Sequence, residues 1–195
     1  GLLSIIKICG LDKHVITIDD IVFKIGPRIN AAGRMEVDSD DENAAPSGGH
    51  SAVYLMVARD EEVASEYGAF IDTCNQDRKN IDRSITQEAH EIIESHPDMK
   101  NRKSTVIYNP KWMKGIVGIV ASRLIETYFR PTVVLTMSNG YVTGSARSVP
   151  GFDLYQAVES CSDLLENFGG HIYAAGLTMK PENVKEFMRR FNAYV

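Results

Sequence analysis

"GIVGIVASRLIETYFRPTVVLT", residues 115–136, sets the fold class. Residues 115–128 carry apolar side chains at helical spacing and open on glycines. Pro131 closes the gap after that helix, and "PTVVLT" (131–136) reads as a buried strand. The same alternation of helix and strand continues on both sides. Upstream, "TVIY" (105–108) is a short buried strand. Downstream, "SNG" (138–140) is a turn feeding a third strand, "YVTGSAR" (141–147). "FDLYQAVESCSDLL" (152–165) is a helix with Asp153 near its start, and "AAGLTM" (174–179) is a fourth strand. "PENVKEFMRRFNAY" (181–194) closes the chain as a helix with Pro181 suited to its first turn. The expected fold class is α/β, a mostly buried sheet flanked by helices.

Before residue 100 the rhythm is helical. Val53, Leu55, Met56, Val63, Ala64, Tyr67, Phe70, Ile71 and Cys74 mark one apolar stripe, and Ile81, Ile85, Ala89, Ile92 and Ile93 extend it. Residues 60–96 read as one helix of roughly 50 Å, stopped by Pro97. Residues 1–10 read as a helix ended by Gly10. "TIDDIVFKIG" (17–26) is a short helix capped by Thr17, with Asp19 and Asp20 in its first turn. "GPRINAAGRM" (26–35) reads as a loop or a broken helix. "EVDSDDENAAPSGGHS" (36–51) reads as an exposed, mobile acidic loop. Its Asp38, Asp40 and Glu42 alternate as in a calcium loop, but Asn43 and Gly49 stand where such a loop needs Gly and Glu. A solvated loop is the better reading.

Composition bounds the function. The 195 residues are 44% hydrophobic, enough for one good core or a compact domain with a helical appendage. No apolar run reaches the length of a membrane span, and no signal-peptide pattern is present. The chain lacks an initiating Met and reads as starting inside a larger protein. Cys9, Cys74 and Cys161 are odd in number and widely spaced, which suits reduced thiols in the cytoplasm. The net charge of −5 hides an asymmetry. Residues 1–100 hold 10 Lys+Arg against 19 Asp+Glu, and residues 101–195 hold 11 against 7. The second half is therefore basic, which permits an anionic ligand.

Two short motifs lie in that half. In a strand, Ser145 and Arg147 project from one face. A guanidinium gives a phosphate two parallel hydrogen bonds, and the hydroxyls of Ser145 and Ser148 can add more. The segment reads either as a phosphate clamp or as a strand end with a solvated arginine. In "FGGH" (168–171), Gly169 and Gly170 allow close backbone approach and His171 can donate to a phosphate or sugar. The alternative is a tight turn with a satisfied histidine. Gly115 and Gly118 place a helix N-terminus where anions are favoured, or serve only to pack helix on sheet. Arg78, Lys79 and Arg83 on the long helix read as a solvated face paired with acids. No metal-ligand spacing, P-loop, nucleophile elbow or Ser-His-Asp signature is present.

Taken together, these stretches resemble the RecJ family of single-strand-specific DNA exonucleases. "FKIGPRINAAGRM" looks like that family's entry to its connecting helix. "GIVGIVASRLIETYFRPTVVL", "GSARSVPGFDL" and "FGGHIYAAGLTM" resemble successive motifs of its DHHA1 domain. "GGH" and "SxRS" occur across the wider DHH phosphoesterase superfamily, whereas "GPRINAAGR" points to RecJ. The resemblance implies three parts: residues 1–50 as linker and end of a preceding DHH domain, 51–100 as connecting helices, and 101–195 as a DHHA1 nucleic-acid-binding domain with a mixed sheet. It implies a 5′→3′ exonuclease of DNA repair and recombination, acting by two-metal hydrolysis. The two Mn²⁺ or Mg²⁺ ions would be held by the DHH domain, whose motif this chain lacks, so no metal ligand is expected here. Ser145 and Arg147, with Ser148 beside them, would bind the 5′-phosphate. Gly169, Gly170 and His171 would sit at the cleft, with His171 near the scissile phosphate. Arg28, Asn30 and Arg34 would lie near the strand's path. One departure is Met113, where the family tends to carry a histidine after Trp112. The implied partners are single-stranded DNA with a 5′-phosphate and a repair helicase or single-strand-binding protein, without a membrane. The chain alone is expected to be inactive. The rival readings are a nanoRNase or nucleotide phosphatase of the same superfamily, and a non-catalytic nucleic-acid-binding module.

Overall fold

The computed structural model describes residues 1–12, 15–35 and 48–195. They form two compact units, Gly1–Ile81 and Asp82–Val195. Among the described residues no helix is long and apolar enough to cross a membrane.

The first unit is helical. Helix α1 (Leu2–Ile8) ends before Gly10, whose φ of +69° is one that glycine adopts without strain. Helix α2 (Ile18–Asp20) opens on the expected cap: Thr17 accepts the Asp20 N–H, and the Asp20 carboxylate accepts the Thr17 N–H at 3.1 Å. A wide π-type turn, Ile21–Ile25, leads into α3 (Gly26–Arg34). The loop or broken helix expected over 26–35 is thus a helix. Pro27 falls in its first turn, where a missing N–H costs nothing, and Ala31 and Ala32 are buried. Helix α4 (Gly48–Val57) includes residues expected in the acidic loop. Ser51 is buried there, and the rest of that expectation, with its calcium-like spacing, lies outside the described residues. The core of this unit is built from Ile5, Leu11, Ile25, Leu55 and Ile71.

Helix α5 (Glu61–Ser95) is the expected long helix, and the unit boundary falls within it. Asp60 caps it, accepting the N–H groups of Glu62 and Val63 at 2.9 and 3.1 Å. His96 is extended ahead of Pro97, which ends the helix; α6 (Pro97–Lys100) follows.

In the second unit β1 (Thr105–Tyr108), α7 (Lys114–Tyr128) and β2 (Thr132–Ser138) form a parallel crossover. Asn139 and Gly140, both at positive φ, make the two-residue turn into β3 (Tyr141–Arg147). Then come α8 (Leu154–Glu159), β4 (Leu165–His171), β5 (Ala174–Met179) and α9 (Val184–Tyr194). The sheet order is β1-β2-β3-β5-β4, parallel at β1/β2 and antiparallel elsewhere, the expected mixed sheet.

The sequence reading missed β4. The helix expected over 152–165 stops at Glu159, and "FGGH" is strand rather than turn. The segment lacks a clean apolar alternation because β4 is an edge strand with exposed residues on much of its length. Its pairing with β5 alone defines it.

One sheet face packs on α8 and α9 through Ala146, Leu177, Leu154, Val158, Phe187 and Phe191. Helix α7 packs on β2 and β3 from the other side. Two polar contacts brace this unit: Arg123 grips the buried Asp82 with both Nε and Nη2, and Trp112 Nε1 donates to Glu88 at 2.9 Å. Cys74 and Cys161 are buried free thiols, and burial pushes both up from their ordinary value.

Candidate functional site

Strand β3 alternates strictly. Val142, Gly144 and Ala146 are buried toward α8 and α9, while Thr143, Ser145 and Arg147 are half-exposed on the opposite face. Pairing carries that face across the sheet in rows. Arg147 lies beside Ala174, which lies beside His171. The next row is Ser145, Gly176 and Gly169, and the third is Thr143, Thr178 and Asn167. Helix α7 covers this face over β2 and β3 and leaves it open over β5 and β4.

Gly118 explains how Arg147 and Ser145 fit beneath α7. A Cβ there would stand 3.0 Å from Arg147 Nη2 and 3.1 Å from Ser145 Oγ. The glycine thus lets both side chains lie against the early part of the helix. Of the two readings open for Gly118, close packing is the one the contacts carry, and what it packs against is Arg147 and Ser145. Arg147 Nη1 also donates to the Ala146 carbonyl at 2.8 Å, which fixes the guanidinium at the strand end.

Ser148 is turned differently. Its hydroxyl meets the Phe152 carbonyl at 2.9 Å, and its N–H donates to the Tyr173 carbonyl at 3.0 Å. Its proton therefore holds the loop after β3, which leaves Ser145 as the hydroxyl beside Arg147.

His171 ends β4 and is exposed. Its Nδ1 accepts the Tyr173 N–H at 3.2 Å. In the neutral ring that leaves the proton on Nε2, pointing a donor away from the backbone.

The two glycines before it differ in kind. Gly170 has φ +153°, and a Cβ would fall 2.2 Å from the Ala174 carbonyl oxygen, so the fold requires glycine. A Cβ on Gly169 would meet nothing within 4 Å. Gly169 and its partner Gly176 help line a shallow cavity of about 280 Å³ together with Thr143, Asn167 and Thr178.

The other expected contact residues lie on α3 in the first unit. Arg28 is committed: Nε donates to Asp72 at 2.7 Å and Nη1 to the Lys24 carbonyl at 2.9 Å. Asn30 and Arg34 are exposed, one turn apart on one face of α3.

Comparison with known proteins agrees with this architecture. The DHHA1 domain model matches residues 101–195. The single-stranded-DNA-specific exonuclease RecJ of Bacillus subtilis (strain 168) is 37% identical over 194 residues, covering 98% of this chain and 23% of that protein. The protein of the same name from Haemophilus influenzae is 31% identical over 202 residues, covering 100% of this chain and 33% of that one. A crystal structure of RecJ in complex with Mn²⁺ from Thermus thermophilus has a TM-score of 0.82 at 26% identity, covering 99% of this chain and 26% of that one. Residues 101–195 thus form a DHHA1 domain, and the whole chain is similar to part of these RecJ proteins.

It spans a quarter to a third of the length of these RecJ proteins. RecJ has been crystallised with Mn²⁺ and with Mg²⁺. Among the described residues of this chain, no three His, Cys, Asp or Glu side chains gather to hold a metal. The three rows of the open face carry a guanidinium and no carboxylate, which suits an anion and repels a cation. The donor set does not fit a divalent ion. At the position where the resemblance led to a histidine being expected, Met113 forms the N-cap of α7 without a side-chain cap bond.

Sequence reasoning missed Gly176, Thr143, Thr178 and Asn167. The signal was present for Thr143, which keeps phase with Ser145 and Arg147. Gly176 and Asn167 became visible only through the β3-β5-β4 pairing.

Proposed function

We propose that this chain is the substrate-binding part of a 5′→3′ single-stranded-DNA exonuclease of repair and recombination. The observation that carries the reading is the Arg147–Ala174–His171 row, which runs from the edge of α7 onto the open part of the face, with Ser145 directly beside Arg147 on the same strand. Arg147 and Ser145 hold the terminal 5′-phosphate by charge-assisted hydrogen bonds, which sets the polarity. His171 stands about two strand spacings away, roughly 10 Å, and presents Nε2–H to the scissile phosphate. Asn30 and Arg34 contact the strand, and Arg28 positions α3 through Asp72. The hydrolytic chemistry comes from two divalent ions held by a DHH domain outside these residues; this chain supplies grip and direction. Its partner is single-stranded DNA in the cytoplasm.

The test is fluorescence anisotropy of this chain at low salt with single-stranded DNA carrying a 5′-phosphate or a 5′-hydroxyl. The phosphate end binds more tightly, and Arg147→Ala removes the preference. Equal binding of both ends by the wild type overturns the assignment of the clamp. The isolated chain cleaves no DNA with Mn²⁺ or Mg²⁺ present. Cleavage that a chelator abolishes would put the metal site within it.

A further inference from the structure

Glycine inside a strand costs backbone entropy and forgoes side-chain packing. A fold tolerates it where φ is positive or where a neighbour leaves no room. Gly144 meets the second condition, since a Cβ would stand 2.4 Å from Leu135 Cδ2. Gly170 meets both. Gly169 and Gly176 meet neither. They are direct partners across β4 and β5, neither has positive φ, and a Cβ on either would point into open space, with only the Gly144 carbonyl oxygen at 4.0 Å from that of Gly176. Both lie exposed on the open face, between the charged Arg147–His171 row and a neutral polar row. In that polar row, Thr143 Oγ1 donates to the Leu177 carbonyl at 3.3 Å. The Asn167 side chain has no hydrogen-bond partner among the described residues and keeps both donor and acceptor available.

We infer that the trough floored by Gly176 and Gly169 and rimmed by Asn167, Thr143 and Thr178 receives the sugar and base of the terminal nucleotide. The inference rests on the proposed phosphate clamp. The chemistry changes along the strands in the order a nucleotide requires. The Arg147–His171 row is cationic or proton-donating and takes phosphates. One row on, about 7 Å away, bare backbone lets a flat ring lie against the sheet without a side chain beneath it. A further row on, about 13 Å from the first, neutral amide and hydroxyl groups meet the edge of a base. An amide that can both donate and accept satisfies any of the four bases, so the pocket holds a nucleoside without selecting its sequence.

The experiment compares two 5′-phosphorylated tetranucleotides, one with a normal terminal thymidine and one with an abasic terminal residue, by anisotropy on the full chain. Wild type prefers the thymidine end by about tenfold, the worth of one or two net hydrogen bonds plus apolar contact. Gly176→Val fills the floor and abolishes that difference. The same variant melts no lower than wild type, because a β-branched side chain enters open space in a strand. The preference for 5′-phosphate over 5′-hydroxyl persists in it. Asn167→Ala, at an exposed position, reduces the thymidine preference in a protein of unchanged stability and carries the test if Gly176→Val fails to fold. A wild type indifferent to the abasic end overturns the pocket and leaves the clamp standing. So does a thymidine preference undiminished in both variants. Loss of the phosphate preference in wild type overturns the clamp, and the pocket with it.

Discussion

Arg147 and His171 stand in one row across the sheet, separated by Ala174, on the face away from α8 and α9, Arg147 at the edge of α7 and His171 exposed. They come from strands that are not neighbours, since β5 lies between β3 and β4. The spacing between them is therefore set by the sheet's own geometry rather than by a loop. A rigid element fixes a guanidinium and an imidazole about 10 Å apart.

The two glycines before His171 differ in what replacement does. Gly170→Ala forces a Cβ to 2.2 Å from the Ala174 carbonyl oxygen at a φ of +153°. It costs about 2–3 kcal/mol. Gly169→Ala adds a Cβ to open space and changes stability by about 0.5–1 kcal/mol in the stabilising direction. Urea unfolding of both variants checks this. Equal costs at the two positions would contradict the assignment of Gly170 as the glycine the fold requires.

Gly118→Ala separates binding from stability. Alanine is the better helix former by about 1 kcal/mol, which offsets the tight contact with the flexible ends of Arg147 and Ser145. The variant keeps its melting temperature within a few degrees while the clamp shifts by a few tenths of an ångström, and the 5′-phosphate preference falls. A preference equal to wild type would show that Gly118 does not position the clamp.

Asp82 and Arg123 are an asymmetric pair. The Asp82 side chain is 2% exposed and that of Arg123 49%. Arg123→Met strips the buried carboxylate of its two-pronged partner and costs about 3 kcal/mol. Asp82→Ala leaves a guanidinium that water can still reach, and costs less. Thermal or denaturant unfolding ranks the two; the reverse order would sink this account.

Asp20 responds to acid. Its carboxyl is held down to about 2, first by the Lys24 ammonium at 2.7 Å and then by the Thr17 N–H and hydroxyl. Its contribution to the α2 cap is present above the unfolded value of roughly 3.9 and is lost as pH falls through the folded one. The Asp20 carboxyl carbon followed by NMR titrates near 2, and Lys24→Ala moves the midpoint upward. A midpoint at the ordinary value would mean that the cap does not form in solution.

Much of the fold was legible because it is written in local periodicity. The apolar run of β2, the alternation of β3 and the stripe along α5 each follow from side-chain spacing alone. The Asn139–Gly140 turn and the Thr17 cap follow from turn and capping chemistry. Helix α3 was misread because Gly26–Pro27 looks like a break, although a first-turn proline is compatible with helix. Strand β4 was missed because an exposed edge strand carries little apolar pattern.

Local sequence was enough to put Ser145 and Arg147 on one face, because strand side chains alternate wherever the strand lies. It was also enough to reveal the RecJ motifs. The insertion of β5 between β3 and β4, which brings His171 into line with Arg147, emerged from the three-dimensional fold alone. So did the distinction between Gly170, which the fold needs, and Gly169 and Gly176, which it does not. Register and steric room depend on which backbone lies alongside. That neighbour is set by long-range pairing and by burial of the opposite sheet face, not by the residues next in the chain.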